Sequence, residues 1–461
     1  MRAPFFPRLP AMLFATALAG ITLAFAPSIH AKDQAEPAKE ISEKVSAELG
    51  KLRTLLDAKN YAEALRLING LLGGVANPSY DLAILTQIKA QVFLYTSNYA
   101  AAVAPLETTI QLGERHAFFD RRTQLENLYT LAQIYYQLAS SSTQPAEQRR
   151  LFEKAHDTIS RWLAQSPAPT ADAQLYAASI LFGQAMVDPA HPDLARIREA
   201  QLAAEKSLYL ELQPKPAAYV LILAALQQRG DLVPMADLLE LLVNRQPESV
   251  NYWQQLAAVY YALAAESKDE AEVQRHNLRA LLTLERAQAR GLLKSPKENH
   301  AVVSLYFALQ QYDRAIALLE AGLHSGAIEN TQPNWELLAS AYQQANNPDA
   351  ALTTLQKAIE RFPRAAGLEF SLGQLHYTLG RSAEAYDHLA RSVTKERLER
   401  PGQAHLFLAY VAFELQRYDD ASRWLEAGAA FPDAKAEDIS RLRRAVTEKL
   451  RERAASARPA L

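Results

Sequence analysis

Gly322-Leu323-His324-Ser325-Gly326 sets a histidine and a serine between two glycines, the residue types of a hydrolytic nucleophile site. The serine falls one place late for Gly-x-Ser-x-Gly and no strand pattern precedes it, so the segment reads as a helix end with Gly326 as its stop. The ten histidines are scattered, and no pair at i, i+4 comes with the third ligand that zinc would need. His376 reads as a packed or capping histidine rather than a ligand. The chain has no cysteine, which removes disulfides, thiolate metal sites, cysteine nucleophiles and a lipid-acceptor cysteine together. Neither a Gly-x4-Gly-Lys-Ser/Thr phosphate loop nor a His-Glu-x2-His zinc helix is present. The sequence therefore predicts no enzyme, no cofactor and no metal. The remaining chemistry is recognition, carried by aromatic and amide side chains at regular intervals.

Those intervals come from helices. Trp335, Leu338 and Tyr342 recur at i, i+3 and i+7, one face of a helix, and that face is expected to be buried. Ala339 on it and Ala351 on the next helix are small enough to let two antiparallel helices approach. Asn346-Asn347-Pro348-Asp349 breaks the chain between them, with Pro348 in the second helix's first turn, where a missing N–H costs little. A two-helix unit cannot bury both its faces alone, so it implies neighbours. An anchoring alanine of a second helix recurs at Ala64, Ala102, Ala155, Ala204, Ala236, Ala280, Ala315, Ala351, Ala385 and Ala421. The last four intervals are 35, 36, 34 and 36 residues, whereas earlier ones run from 32 to 53. Insertions at Ser140 to Pro145, Asp188 to Pro192 and Glu266 to Glu272 account for the drift. Turn phrases Asn60-Tyr61, Asn98-Tyr99, Gln311-Tyr312-Asp313 and Arg417-Tyr418-Asp419 stand just ahead of anchoring alanines.

Composition agrees. Apolar residues make up 49% of 461, enough for a large core, and glycine is sparse at 16, which favours helix. The formal charge is −2 with signs interspersed, which gives no support to a nucleic-acid partner. Residues 1–31 carry Arg2 and Arg8, an apolar run from Ala11 to Ala26, and Ile29 and Ala31 placed for cleavage, the pattern of a signal peptide. Sixteen apolar residues are short for a membrane span of about 20, so the mature chain is expected to carry no stable span. A polar tether follows at 32–40. Irregular hairpins then occupy 41–250, regular ones 251–433, and a capping helix with its tail 434–461, where Ile439, Leu442, Val446 and Leu450 form one apolar stripe. Eight Lys or Arg against four acids from Lys435 onward read as a solvated face.

The Trp335-x2-Leu338-Ala339-x2-Tyr342, Ala351-x3-Leu355-x2-Ala358 and Pro363 offsets resemble the tetratricopeptide (TPR) repeat family, most closely from about Trp253 to Pro432. The resemblance implies an all-α fold, a right-handed α-solenoid of TPR-like helical hairpins with a C-terminal cap, and a scaffold that binds proteins. It also implies that first-helix positions 5, 9 and 12 line a concave groove. Counted with Trp335 as position 4, position 12 is Tyr261, Phe307, Gln343, Tyr377 and Phe413. Positions 5 and 9 add His300, Phe370, Gln374, Leu406 and Tyr410. Such a ladder suits an extended peptide or a partner helix. A shift of one residue would instead make the same side chains fill gaps between repeats, and both outcomes stay open. The Lys and Asn pattern that chaperone-binding TPR proteins use to clamp a C-terminal carboxylate is absent: position 5 reads Gln254, His300, Glu336, Phe370 and Leu406.

Whole-chain character is similar to the periplasmic TPR proteins that accompany TonB–ExbB–ExbD systems. That likeness implies a periplasmic adaptor whose partner is TonB or another inner-membrane envelope protein, supporting energy-dependent uptake. The alternative is a scaffold for envelope polysaccharide secretion or cell-wall assembly, with the aromatics stacking on sugars.

Overall fold

A computed structural model describes residues 39–395 and 398–456. The proposed signal segment 1–31 and nearly all of the tether lie outside them. Among the described residues the secondary structure is 21 helices and no strand, and none of the helices is long and apolar enough to cross a membrane. The fold is an all-α helical solenoid, in which consecutive helices pack on one another from the first to the eighth and from the tenth to the last.

The chain divides into two compact units, residues 1–218 and 219–461. The first holds four hairpins: α1 (Glu43–Asp57) with α2 (Tyr61–Leu72), α3 (Tyr80–Tyr95) with α4 (Tyr99–His116), α5 (Arg121–Ser141) with α6 (Pro145–Gln165), and α7 (Ala171–Ala185) with α8 (Leu194–Leu208). Helix α9 (Pro216–Arg229) begins at the division. The second unit continues with α10 (Leu232–Arg245), then α11 (Val250–Glu266) with α12 (Glu270–Ala289), α13 (Pro296–Ala308) with α14 (Tyr312–Ser325), and α15 (Gln332–Gln344) with α16 (Pro348–Arg361). Helices α17 (Ala366–Thr378) with α18 (Ser382–Thr394), α19 (Pro401–Glu414) with α20 (Tyr418–Ala429), and the single α21 (Ala436–Ser456) complete it. Contacts thus divide the chain at 218/219, while the repeat spacing changes near 250. Spacing records hairpin length and contacts record packing, so the two boundaries need not coincide.

Each of the ten anchoring alanines sits in a second helix, from α2 to α20, and each is between 0 and 3% exposed. A larger side chain there would push the partner helix away. Seven hairpins turn in the same way. One residue with positive φ (Lys59, Ser97, Gly230, Gln310, Asn346, Gly380, Gln416) ends the first helix, and the next residue returns its N–H to the carbonyl five places back. Asn347 N donates to Tyr342 O at 2.8 Å in this way, a Schellman closure that satisfies the helix end. Asn60, Asn98 and Asn347 then cap the second helix through their side chains. The insertions at Ser140 and Glu266 largely lengthen helices: α5 and α6 run 21 residues each and α12 runs 20.

The face of Trp335, Leu338 and Tyr342 is only partly buried. Leu338 is in the core, but Trp335 and Tyr342 are half-buried. Both are amphipathic, and each places its polar tip at the seam: Trp335 Nε1 donates to Asn330 Oδ1 at 2.7 Å, and the Tyr342 hydroxyl donates to Glu320 of α14. The second bond recurs. Tyr260 of α11 donates to Glu240 of α10 at 3.0 Å, Tyr306 of α13 to Glu285 of α12, and Tyr135 of α5 to Glu107 of α4. At each of these joints a tyrosine on a first helix is latched to a glutamate on the second helix before it. At the joint of α16 and α17 the tyrosine's place is taken by His376, buried and with its Nδ1 lacking a hydrogen-bond partner.

Ser325 is the last residue of α14, its hydroxyl donates to Ala321 O at 2.7 Å, and Gly326 stops the helix with φ of 79°. Helix α21 buries Ile439 and Val446 against the preceding hairpin, with Leu442 and Leu450 at the margin. Some of its charges are met locally or nearby, as in Arg441 to Glu437 at 3.0 Å and Arg453 to Asp419 at 2.6 Å.

Candidate functional site

All ten groove candidates lie on first helices of the second unit, and none is fully buried. Tyr261 on α11 and Tyr410 on α19 are exposed, at 36% and 43%, and Gln343 and Gln374 line an open cleft. His300, Phe307, Phe370, Tyr377, Leu406 and Phe413 are half-buried.

The structure brings one group of them together. On α17 and α19 the rings of Phe370 and Tyr377 meet Phe407 edge-on, at centroid distances of 6.2 and 5.2 Å, and Tyr377 meets Tyr410 at 6.2 Å. Edge-to-face packing of this kind aligns ring edges with ring faces and makes the cluster stiff. The Tyr377 hydroxyl donates to Glu414 Oε1 at 3.1 Å. Burial, and then hydrogen bonds with Tyr410 and Glu414, push that hydroxyl well above its ordinary pKa. Leu406 packs at the margin of the same cluster.

Phe307 and Phe413 do something different. Each packs on the tyrosine that opens its own second helix, Tyr312 and Tyr418, at 5.6 Å in both cases. They brace the hairpin turn as much as they offer surface. The Tyr261 hydroxyl reaches Ala301 O at 3.5 Å. The His300 carbonyl accepts from the Ser304 hydroxyl at 3.1 Å, within its own helix and away from the aromatic cluster.

Gln343 and Gln374 meet at a cleft of about 340 Å³ between α15, α16 and α17. Its polar walls are Glu336, Ser340, Gln343, Ser371, Gln374 and Thr378, and the buried Leu355 closes it below. Glu336 Oε1 accepts from Gln332 Nε2 at 3.0 Å. Phe407 and Glu414, which complete the aromatic cluster, stand at positions 6 and 13 of their helix. A reading confined to positions 5, 9 and 12 passes over them. The recurrence of apolar and aromatic residues through Leu406-Phe407-x2-Tyr410-x2-Phe413 was the available signal.

Among the described residues no group of three or more histidine or acidic side chains could hold a metal ion. The arrangement presents aromatic faces and amide, hydroxyl and carboxylate groups along successive first helices, chemistry that can contact an extended segment.

Residues 336–365, from the second turn of α15 to the end of the link after α16, match the family model of the tetratricopeptide repeat. The chain thus carries a tetratricopeptide repeat in α15 and α16. No curated protein matches it in sequence. Among solved structures, the TPR chain is similar to a thermophilic TPR protein of Thermus thermophilus, at 23% identity over 45% of this chain and 98% of that one, with a TM-score of 0.25. It is also similar to a tetratricopeptide repeat protein of Parabacteroides merdae, at 14% identity over 59% and 98% with a TM-score of 0.30. A third likeness is to the APC/C hetero-tetramer Cut9–Hcn1, at 15% identity over 89% and 93% with a TM-score of 0.29. A TPR array is in general an interaction scaffold, so the fold suggests protein partners.

Proposed function

We propose that this TPR protein is an exported scaffold of the bacterial envelope that holds an extended segment of a protein partner along the first helices α11 to α19. The observation that carries the reading is the aromatic cluster of Phe370, Tyr377, Phe407 and Tyr410 beside a polar cleft on neighbouring first helices. Rigid aromatic rings give contact area with little entropy to lose, and amide and hydroxyl groups meet a peptide backbone. Export is supported by the pattern of residues 1–31. The partner in this reading is the periplasmic part of TonB or a related inner-membrane protein.

Crosslinking in the source cells, followed by affinity purification and mass spectrometry, tests it. Wild type is compared with Tyr410→Ala, and the mature N-terminus is sequenced in the same preparation. Recovery of TonB-system components that is lost in Tyr410→Ala, on a protein starting near Lys32, is the expected result. Recovery of polysaccharide-export or cell-wall assembly proteins would replace this partner with the alternative one. An unprocessed, cytoplasmic protein would overturn the envelope reading.

A further inference from the structure

We infer that the cleft between α15, α16 and α17 is a specificity pocket for an arginine side chain of the bound partner segment. The inference rests on the groove reading above and adds which residue the groove selects.

The walls of the cleft offer the Glu336 carboxylate, the side-chain amides of Gln343 and Gln374, and the hydroxyls of Ser340, Ser371 and Thr378. Among the described residues no lysine, arginine or histidine lines it. The formal charge on its walls is therefore negative, and its oxygens are hydrogen-bond acceptors. A guanidinium has five N–H donors in a planar fork and no acceptor, which is the complement of such a wall. A carboxylate guest would meet Glu336 with no cation on the walls to offset it. An apolar guest would strip water from amides and hydroxyls without replacing their hydrogen bonds. At about 340 Å³ the cleft has room for a long side chain entering end-on.

Position in the fold supports the same guest. The cleft opens at the joint of α16 and α17, where the tyrosine-to-glutamate latch of the three preceding joints is replaced by His376. On α17 the pocket adjoins the aromatic cluster, since Gln374 and Tyr377 are one helical turn apart. A segment with an arginine in the cleft can thus lay a neighbouring apolar residue on Tyr410 and Phe407.

Short fluorescein-labelled peptides that alternate phenylalanine with one variable residue test the pocket by anisotropy, with arginine, citrulline or glutamate in the variable place. Citrulline keeps the shape of arginine and removes its charge. Wild type should bind the arginine peptide about tenfold more tightly than the citrulline peptide, the scale of a charge-assisted hydrogen bond. Glu336→Gln should bring the two peptides to equal affinity while the melting temperature holds, and Ser371→Leu, which fills the cleft, should do the same by a different route. Equal affinity of wild type for arginine and citrulline peptides, with both weakened by Tyr410→Ala, would overturn the pocket and leave the groove standing. Equal affinity unaffected by Tyr410→Ala would overturn both. So would failure of wild type to bind any of the peptides.

Discussion

The rings of His376 on α17 and His388 on α18 lie parallel, 5.3 Å between centroids and 6° between planes. His376 is 7% exposed and its Nδ1 has no hydrogen-bond partner, while His388 Nδ1 is 2.7 Å from Glu369 Oε2. Glu369 is itself buried, with Lys395 Nζ at 2.7 Å and the Arg391 Nε at 3.6 Å. Burial works against ionisation of Glu369, but the hydrogen bonds from Lys395 and His388 outweigh it and hold its pKa below the ordinary value. The hairpin thus holds a carboxylate whose pKa is lowered and, on the far face of the His388 ring, a buried imidazole whose pKa is lowered as well.

A pH dependence follows, with a definite sign. Burial first, and then the neighbouring His388, lower the pKa of His376 beneath its usual 6.5; Glu384 opposes this and Arg381 adds to it. The unfolded chain therefore takes up a proton before the folded one does, so stability falls as the pH drops through the ordinary histidine range. Melting followed by circular dichroism at about pH 7.5 and about pH 5.5, either side of the ordinary histidine pKa, should show the midpoint falling at the lower pH. His376→Phe should shrink that fall relative to wild type. An identical fall in both proteins would place the sensitivity elsewhere, with His276 the next candidate, since burial lowers its pKa too.

Tyr410 is the cleaner probe of binding. It is the more exposed member of its cluster, so Tyr410→Ala should change the melting temperature little while weakening partner capture. Tyr377→Ala removes a half-buried ring packed on Phe407 and bonded to Glu414, and should cost about 2 kcal/mol. Urea denaturation of both variants separates the two roles. Equal destabilisation would mean that Tyr410 belongs to the core of the cluster.

The tyrosine-to-glutamate latches should show coupling. Tyr306→Phe keeps the buried ring and deletes only the hydroxyl bonded to Glu285, at an expected cost of about 1–2 kcal/mol. The double variant with Glu285→Gln should cost less than the sum of the two single ones. Strict additivity of the three unfolding free energies would deny that the bond acts across the joint.

Turn geometry gives a prediction with no side-chain contact involved. Gly380 has φ of 73° and open space where a Cβ would stand, so Gly380→Ala meets only backbone strain, about 1 kcal/mol. Gln416 adopts φ of 59° at the equivalent turn, and Gln416→Gly should relieve strain of similar size, raising the melting temperature. A drop in the second variant would mean that the glutamine side chain contributes more than its backbone costs.

The sequence alone determined the hairpins. An alanine recurring near every 35 residues in the C-terminal half and turn phrases such as Asn346-Asn347-Pro348 act locally: the first sets how closely two helices pack, the second where a helix ends, and neither needs a distant partner. The candidate face was legible only in outline, because a helix position fixes a direction to within one residue and says nothing of what the next hairpin places opposite. Packing between hairpins decided the rest. It turned Phe307 and Phe413 toward their own turns, made Phe407 the centre of the aromatic cluster, and left Trp335 and Tyr342 half-exposed so that their polar tips could reach Asn330 and Glu320. It also set Glu336, Gln343 and Gln374 around a shared cleft. A cleft is a property of the space between helices, and that space exists only once the hairpins have docked.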